Sequence, residues 1–158
     1  MNGNYSRPVV GDFTGDRADD ILWHPPGAAA DFLWDNAPGS TAFRSIRQTV
    51  KGAQYQPFSL DIFREGAGNE DIFWYTPGLS PDTISDRFQG RRFDHTTSGG
   101  PVGGEHLTAA GDYLGDGSED VVSDNGSEMA AGAPAGRARS GRRPRLALPP
   151  LGGGRSVG

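Results

Sequence analysis

The chain reads as an all-β protein: a partial β-propeller of two complete four-stranded antiparallel blades and half of a third, ending in a tail without structure. Three observations predict it. A motif recurs at blade spacing, with Asp20, Asp71 and Asp120 standing 51 and then 49 residues apart. Short apolar runs come four to a repeat, bounded by Pro-Gly and acid-glycine turns. Glycine and proline, 25 and 12 of 158 residues, leave little room for long helices.

The first repeat opens with GDFTGDRADDILWHPPG at 11–27, the second with LDIFREGAGNEDIFWYTPG at 60–78, and the third with GDYLGDGSEDVV at 111–122. Other marks keep the register: Trp23 with Trp74, Pro26-Gly27 with Pro77-Gly78, Asp31 with Asp82, and Phe43 with Phe93. In the first repeat, about 8–52, strands are expected at 8–13, 20–24, 31–35 and 42–50. In the second, about 55–101, they are expected at 58–63, 71–75, 83–88 and 92–97, and the half repeat covers about 106–128. Apolar residues alternate or run in fours and show no 3.6-residue period, which disfavours a helical solenoid. Ile21, Leu22 and Trp23 form an unbroken apolar run, the pattern of a strand buried on both faces. Trp23 and Trp74 are read as packing residues rather than sugar-stacking platforms.

Charge divides the chain. Residues 129–158 hold six arginines and no acid, so 1–128 keep nine of the 15 basic residues and all 20 acids, a net of −11. Such a body repels nucleic acid and attracts divalent cations. The tail, with seven glycines, four prolines, six alanines and no aromatic residue, cannot build a core and is expected to be disordered. Its composition also matches a GC-rich gene read out of frame, so a truncated or frameshifted product is one reading of the chain. There is no cysteine, hence no disulfide scaffold, thiol nucleophile or thiolate metal site. No apolar run is long enough to span a bilayer, and the start MNGNYSRPVV has no secretory leader pattern.

The repeated chemistry lies in the loop between the first two strands. Asp12, Thr14, Asp16 and Asp20 fall at loop positions 1, 3, 5 and 9, with the Ala18 carbonyl available at position 7. The third repeat places Asp112, Leu114, Asp116, Ser118 and Asp120 there. Alternate residues of a tight loop can aim oxygens at one point, and a hard cation relieves the repulsion of the crowded carboxylates. An EF-hand is excluded, because its twelfth position should be glutamate and here is Trp23 or Ser123. The same aspartates also suit a plainer role as turn caps. In the second repeat the spacing from Asp61 to Asp71 is too long and only Glu65 lies between, so that loop is expected to hold no ion.

At these residues the chain resembles the FG-GAP or VCBS repeat family, whose blades build the propeller of integrin α-subunit heads; the resemblance covers about 8–128. It implies a calcium-dependent propeller, outside the cytoplasm or at the cell surface, serving adhesion or carbohydrate recognition. By position, it implies calcium ligands at Asp12, Thr14, Asp16, Ala18 and Asp20, and at Asp112, Asp116, Ser118 and Asp120. Two and a half blades cannot close a ring, so remaining blades or self-association are expected as partners, beside a glycan or protein surface. The three histidines sit at unrelated repeat positions, His24 reading as a blade-edge residue, and no G-x-S-x-G elbow is present. Repetition favours structure over catalysis, so the expected function is a non-catalytic, calcium-stabilised binding module. An accessory segment of a secreted hydrolase is the alternative.

Overall fold

The structure, a computed structural model, describes residues 7–25, 27–49, 51–52, 54–61, 69–77, 81–100, 107–113, 115, 119–124 and 129–132. Within them the chain is all-β. Strands β1 (Arg7–Gly11), β2 (Asp20–His24), β3 (Phe32–Asn36) and β4 (Phe43–Arg47) form one antiparallel sheet in chain order. A second sheet repeats the pattern with β5 (Gln56–Leu60), β6 (Asp71–Tyr75), β7 (Asp82–Gln89) and β8 (Arg92–Gly100). A third sheet joins β9 (Leu107–Gly111), β10 (Asp120–Asp124) and β11 (Met129–Gly132), with β10 in the middle. No helix among the described residues is long and apolar enough to cross a membrane.

The first two strands of the three repeats share one register. Gly11 pairs Asp20, Leu60 pairs Asp71 and Gly111 pairs Asp120, so the three acids stand at one register position in three sheets. The second strands, 20–24 and 71–75, begin and end where the sequence places them. The first strands end earlier than the apolar pattern suggests. Phe13 is fully buried but lies outside β1, because its N–H turns back onto the Gly11 carbonyl at 3.0 Å. Tyr113 makes the same turn onto Gly111, also at 3.0 Å.

Alternation of side chains across each strand decides where the cores form. Leu22, Leu33 and Ile46 leave one face of the first sheet, with Phe13 beside them, and pack against Ile72 and Trp74 of the second. Phe73, Tyr75, Leu60 and Ile84 leave the opposite face of the second sheet and meet Val121 and Ala110 of the third. The second sheet is therefore sandwiched, and every residue of β6 is buried. Among the described residues, one face of the first sheet is covered. Its run Ile21-Leu22-Trp23 does not behave as the sequence suggests: Leu22 is buried, whereas Ile21 and Trp23 lie half-buried on the other face. The expectation of burial on both faces is met by β6, the strand with a neighbour on each side.

The order of sheets also brings first strands together, β1 beside β5 and β5 beside β9. The β7–β8 hairpin closes through Gly90 and Arg91, both at positive φ (54° and 76°), the two-residue turn whose twist suits adjoining strands. Its tip leans over the first sheet, where Phe93 meets Phe13 edge-on at 6.1 Å and Gln48 Nε2 donates to the Arg91 carbonyl at 3.3 Å. The third sheet extends beyond the half blade. Met129–Gly132, read from composition as the start of the tail, pairs with β10, because a strand with an open edge offers backbone partners to any extended segment. Positions 133–158, and with them the rest of the expected tail, lie outside the described residues.

Candidate metal centre: the repeated acidic loop

Loop 12–20 folds around the Asp12 carboxylate. Its Oδ1 accepts from the N–H of Gly15 at 2.7 Å and of Asp16 at 3.1 Å, and its Oδ2 accepts from Arg17 at 2.8 Å. Asp16 Oδ1 takes the Ala18 N–H at 2.9 Å. Asp20 closes the loop: Oδ2 accepts from Thr14 at 3.1 Å, and Oδ1 reaches the end of β3 to accept from Asn36 at 2.9 Å. Burial pushes the Asp20 carboxyl above its ordinary value, although these two N–H donors oppose the shift. The carboxylates thus do the work of turn caps, each satisfying backbone donors that a tight loop leaves exposed.

Two loop positions show what this wrapping demands. Gly15 sits at φ 76°, and a side chain there would strike Asn69 Oδ1 in the segment that leads into β6. Arg17 sits at φ 72°, a conformation an ordinary L-residue adopts at a cost of about 1 kcal/mol or more, and it does so to deliver its N–H to Asp12.

The oxygen-only set of Asp12, Thr14, Asp16, Asp20 and the Ala18 carbonyl suits a hard cation by chemistry. The carboxylate oxygens are turned toward backbone donors, and among the described residues no three His, Cys, Asp or Glu side chains are gathered closely enough to share one ion. Of the third loop, Asp112 is exposed and Asp120 buried at the register position of Asp20. Asp116 and Ser118 lie outside the described residues, as does Glu65 of the second loop.

A second polar arrangement escaped the sequence reading. The residue before each repeat acid is itself acidic: Asp19, Glu70 and Glu119. In two of the three positions it joins neighbouring sheets. Glu70 N–H donates to the Asp12 carbonyl at 2.8 Å, and Glu119 N–H donates to the Asp61 carbonyl at 3.1 Å. Glu119 Oε2 also accepts the Asp61 N–H at 2.8 Å, so the pair is reciprocal. The Glu70 side chain bonds to Ser59 Oγ and fills the space beside Gly11, where a Cβ would strike it. Burial raises the Glu70 carboxyl, with the Ser59 hydroxyl opposing the shift.

His24 is a buried residue of the inter-sheet core, not a blade-edge one. Its Nδ1 lies 2.7 Å from Asp31 Oδ1, and its ring packs edge-on to Trp74 at 5.4 Å. Asp31 Oδ2 accepts the Lys51 N–H at 3.0 Å, and Lys51 Nζ sits over the rings of Trp74 and Tyr55 at 5.4 and 5.6 Å. Asp82, the repeat mate of Asp31, caps the corresponding turn by accepting the Thr76 N–H at 2.8 Å. These contacts fasten β2 to the turn before β3.

Comparison with protein-family models, with curated proteins and with solved structures found no match to the chain.

Proposed function

We propose that the chain is a non-catalytic, propeller-type module that presents a glycan- or protein-binding surface outside the cell, with calcium stabilising its acidic loops. The observation that carries the reading is the repeated junction between sheets. Each new sheet sets its first strand beside the preceding first strand, seats one face on it, and ties residue 70 to 12 or 119 to 61. A site repeated with each sheet serves the scaffold, whereas a catalytic site is needed once. The buried polar groups support the same view, since His24, Asp31, Asp20 and Asp82 are used in holding turns.

Calcium would be held by Asp12, Thr14, Asp16, the Ala18 carbonyl and Asp20, and in the third loop by Asp112, Asp116, Ser118 and Asp120. Bound, it would neutralise the crowded carboxylates. Thermal melting with and without calcium tests this. An ion that binds only the folded chain adds about 2.7 kcal/mol at a hundredfold excess over Kd, and magnesium adds less. Asp16→Asn removes part of the shift. An unchanged melting temperature refutes the calcium reading, and turnover of a polysaccharide by the chain alone refutes the non-enzymatic one.

A further inference from the structure

The large hydrophobic side chains that stand most exposed among the described residues are not scattered: Val10 (54%), Phe43 (43%) and Tyr113 (50%) all lie on the two end faces of the stack. Val10 and Phe43 belong to the outer face of the first sheet, where Ile21, Trp23 and Trp34 are half-buried and Trp23 packs on Trp34 at 5.1 Å. Tyr113 lies beside the outer face of the third sheet. Its repeat mate, Phe13, is 0% exposed because the second sheet covers it.

The two end faces match each other in repeat terms. Ile21 and Trp23 occupy the register positions of Ile72 and Trp74, the side chains by which the second sheet seats on the first. The outer face of the third sheet carries Ala109 and Val122 at the positions of Phe58 and Phe73, which receive Val121. The volumes are complementary as well. The second-to-third junction sets large receiving residues against small Val121 and Ala110. An outer junction would set small Ala109 and Val122 against bulky Trp23 and Trp34, the large-against-small alternation that fills a core.

We propose that a second copy of this chain covers the first sheet, seating its own third sheet there, so that copies join head to tail. The contact continues the two internal junctions: residue 19 of one copy comes opposite residue 112 of the other, as 70 stands opposite 12 and 119 opposite 61. A heterologous contact of this kind closes a ring where the rotation allows and otherwise extends a chain. The inference rests on the proposed sequence of sheets and is independent of calcium.

Sedimentation of the wild type and two variants tests it. The wild type should sediment as a dimer or larger. Trp23→Glu and Ala109→Glu should each sediment as a monomer with an unchanged far-ultraviolet circular dichroism spectrum, because each spoils one end. Mixed in equal amounts they should give a two-chain species, since each supplies the end the other lacks. If Trp23→Glu fails to fold, Val10→Glu on the same face replaces it. A monomeric wild type overturns the proposal. So does an Ala109→Glu chain that still self-associates, which would place the first sheets of two copies back to back. A null result here with a calcium-dependent melting shift intact would leave the proposed function standing.

Discussion

Trp23 and Trp74 occupy the same position of the repeat, yet truncating them should have very different effects. Trp74 is 3% exposed, packs against Leu22, Leu33 and Ile46, meets His24 and Tyr55 edge-on, and donates from Nε1 to Ser85 Oγ at 3.0 Å. Trp74→Ala removes a fully enclosed ring between two sheets, a loss of about 3–5 kcal/mol, with about 1 kcal/mol more from the severed hydrogen bond. Trp23 is half-buried on a face that no other sheet of the described residues covers, so Trp23→Ala should lose about half of a full burial, or about 1 kcal/mol. The assay is urea unfolding followed by circular dichroism, in the Ala109→Glu background so that assembly does not contribute. With a slope of about 2 kcal/mol/M, Trp74→Ala lowers the midpoint by about 2–3 M and Trp23→Ala by about 0.5 M. Should Trp74→Ala be too unstable to measure, Trp74→Phe against Trp23→Phe keeps the comparison. Equal losses would refute the assignment of covered and uncovered faces.

Arg17→Gly relieves the positive φ of the first loop and should raise stability by about 0.5–1 kcal/mol in urea unfolding, with the Asp12 hydrogen bond retained. Gly15→Ala should destabilise by more than that, because it combines the same strain with a clash against Asn69; Gly39→Ala, at φ 75° in open space, isolates the strain alone. Burial raises the Glu70 carboxyl above its ordinary 4.5, so the folded chain binds the proton more tightly than the unfolded one. Its stabilising contribution is full below pH 4.5 and lost as pH rises through the folded value, so Glu70→Gln should stabilise at pH 7 and lose that advantage on acidification. Lys51 runs the opposite way: burial lowers its ammonium, stability rises with pH as that group deprotonates in the folded state, and Lys51→Met should flatten the alkaline limb of the stability profile.

Period and register were legible because the same short motif is written three times. Asp20, Asp71 and Asp120 fix the start of the second strands, and β2 and β6 have the bounds the apolar runs give them. The turn chemistry of the first loop was legible too, though with two roles open, and the hydrogen bonds of Asp12 and Asp20 fill the capping one. The inter-sheet role of Glu70 and Glu119 was missed although both precede a repeat acid, because a carboxylate beside a carboxylate reads as more loop charge until its partner across the gap is known. His24 was misplaced for a similar reason. A histidine at a strand end reads as edge, and the Asp31 side chain seven residues on offsets the cost of burying it.

What the sequence determined by itself is local: strands, turns and the recurrence of one unit, all set by alternation, glycine and proline over a few residues. Which faces are buried was decided by the stacking. Ile21-Leu22-Trp23 and Ile72-Phe73-Trp74 are nearly the same peptide, and they differ in burial because, among the described residues, the second sheet has neighbours on both sides and the first on one. Hydrophobic burial depends on what covers a surface, which no strand encodes in its own residues.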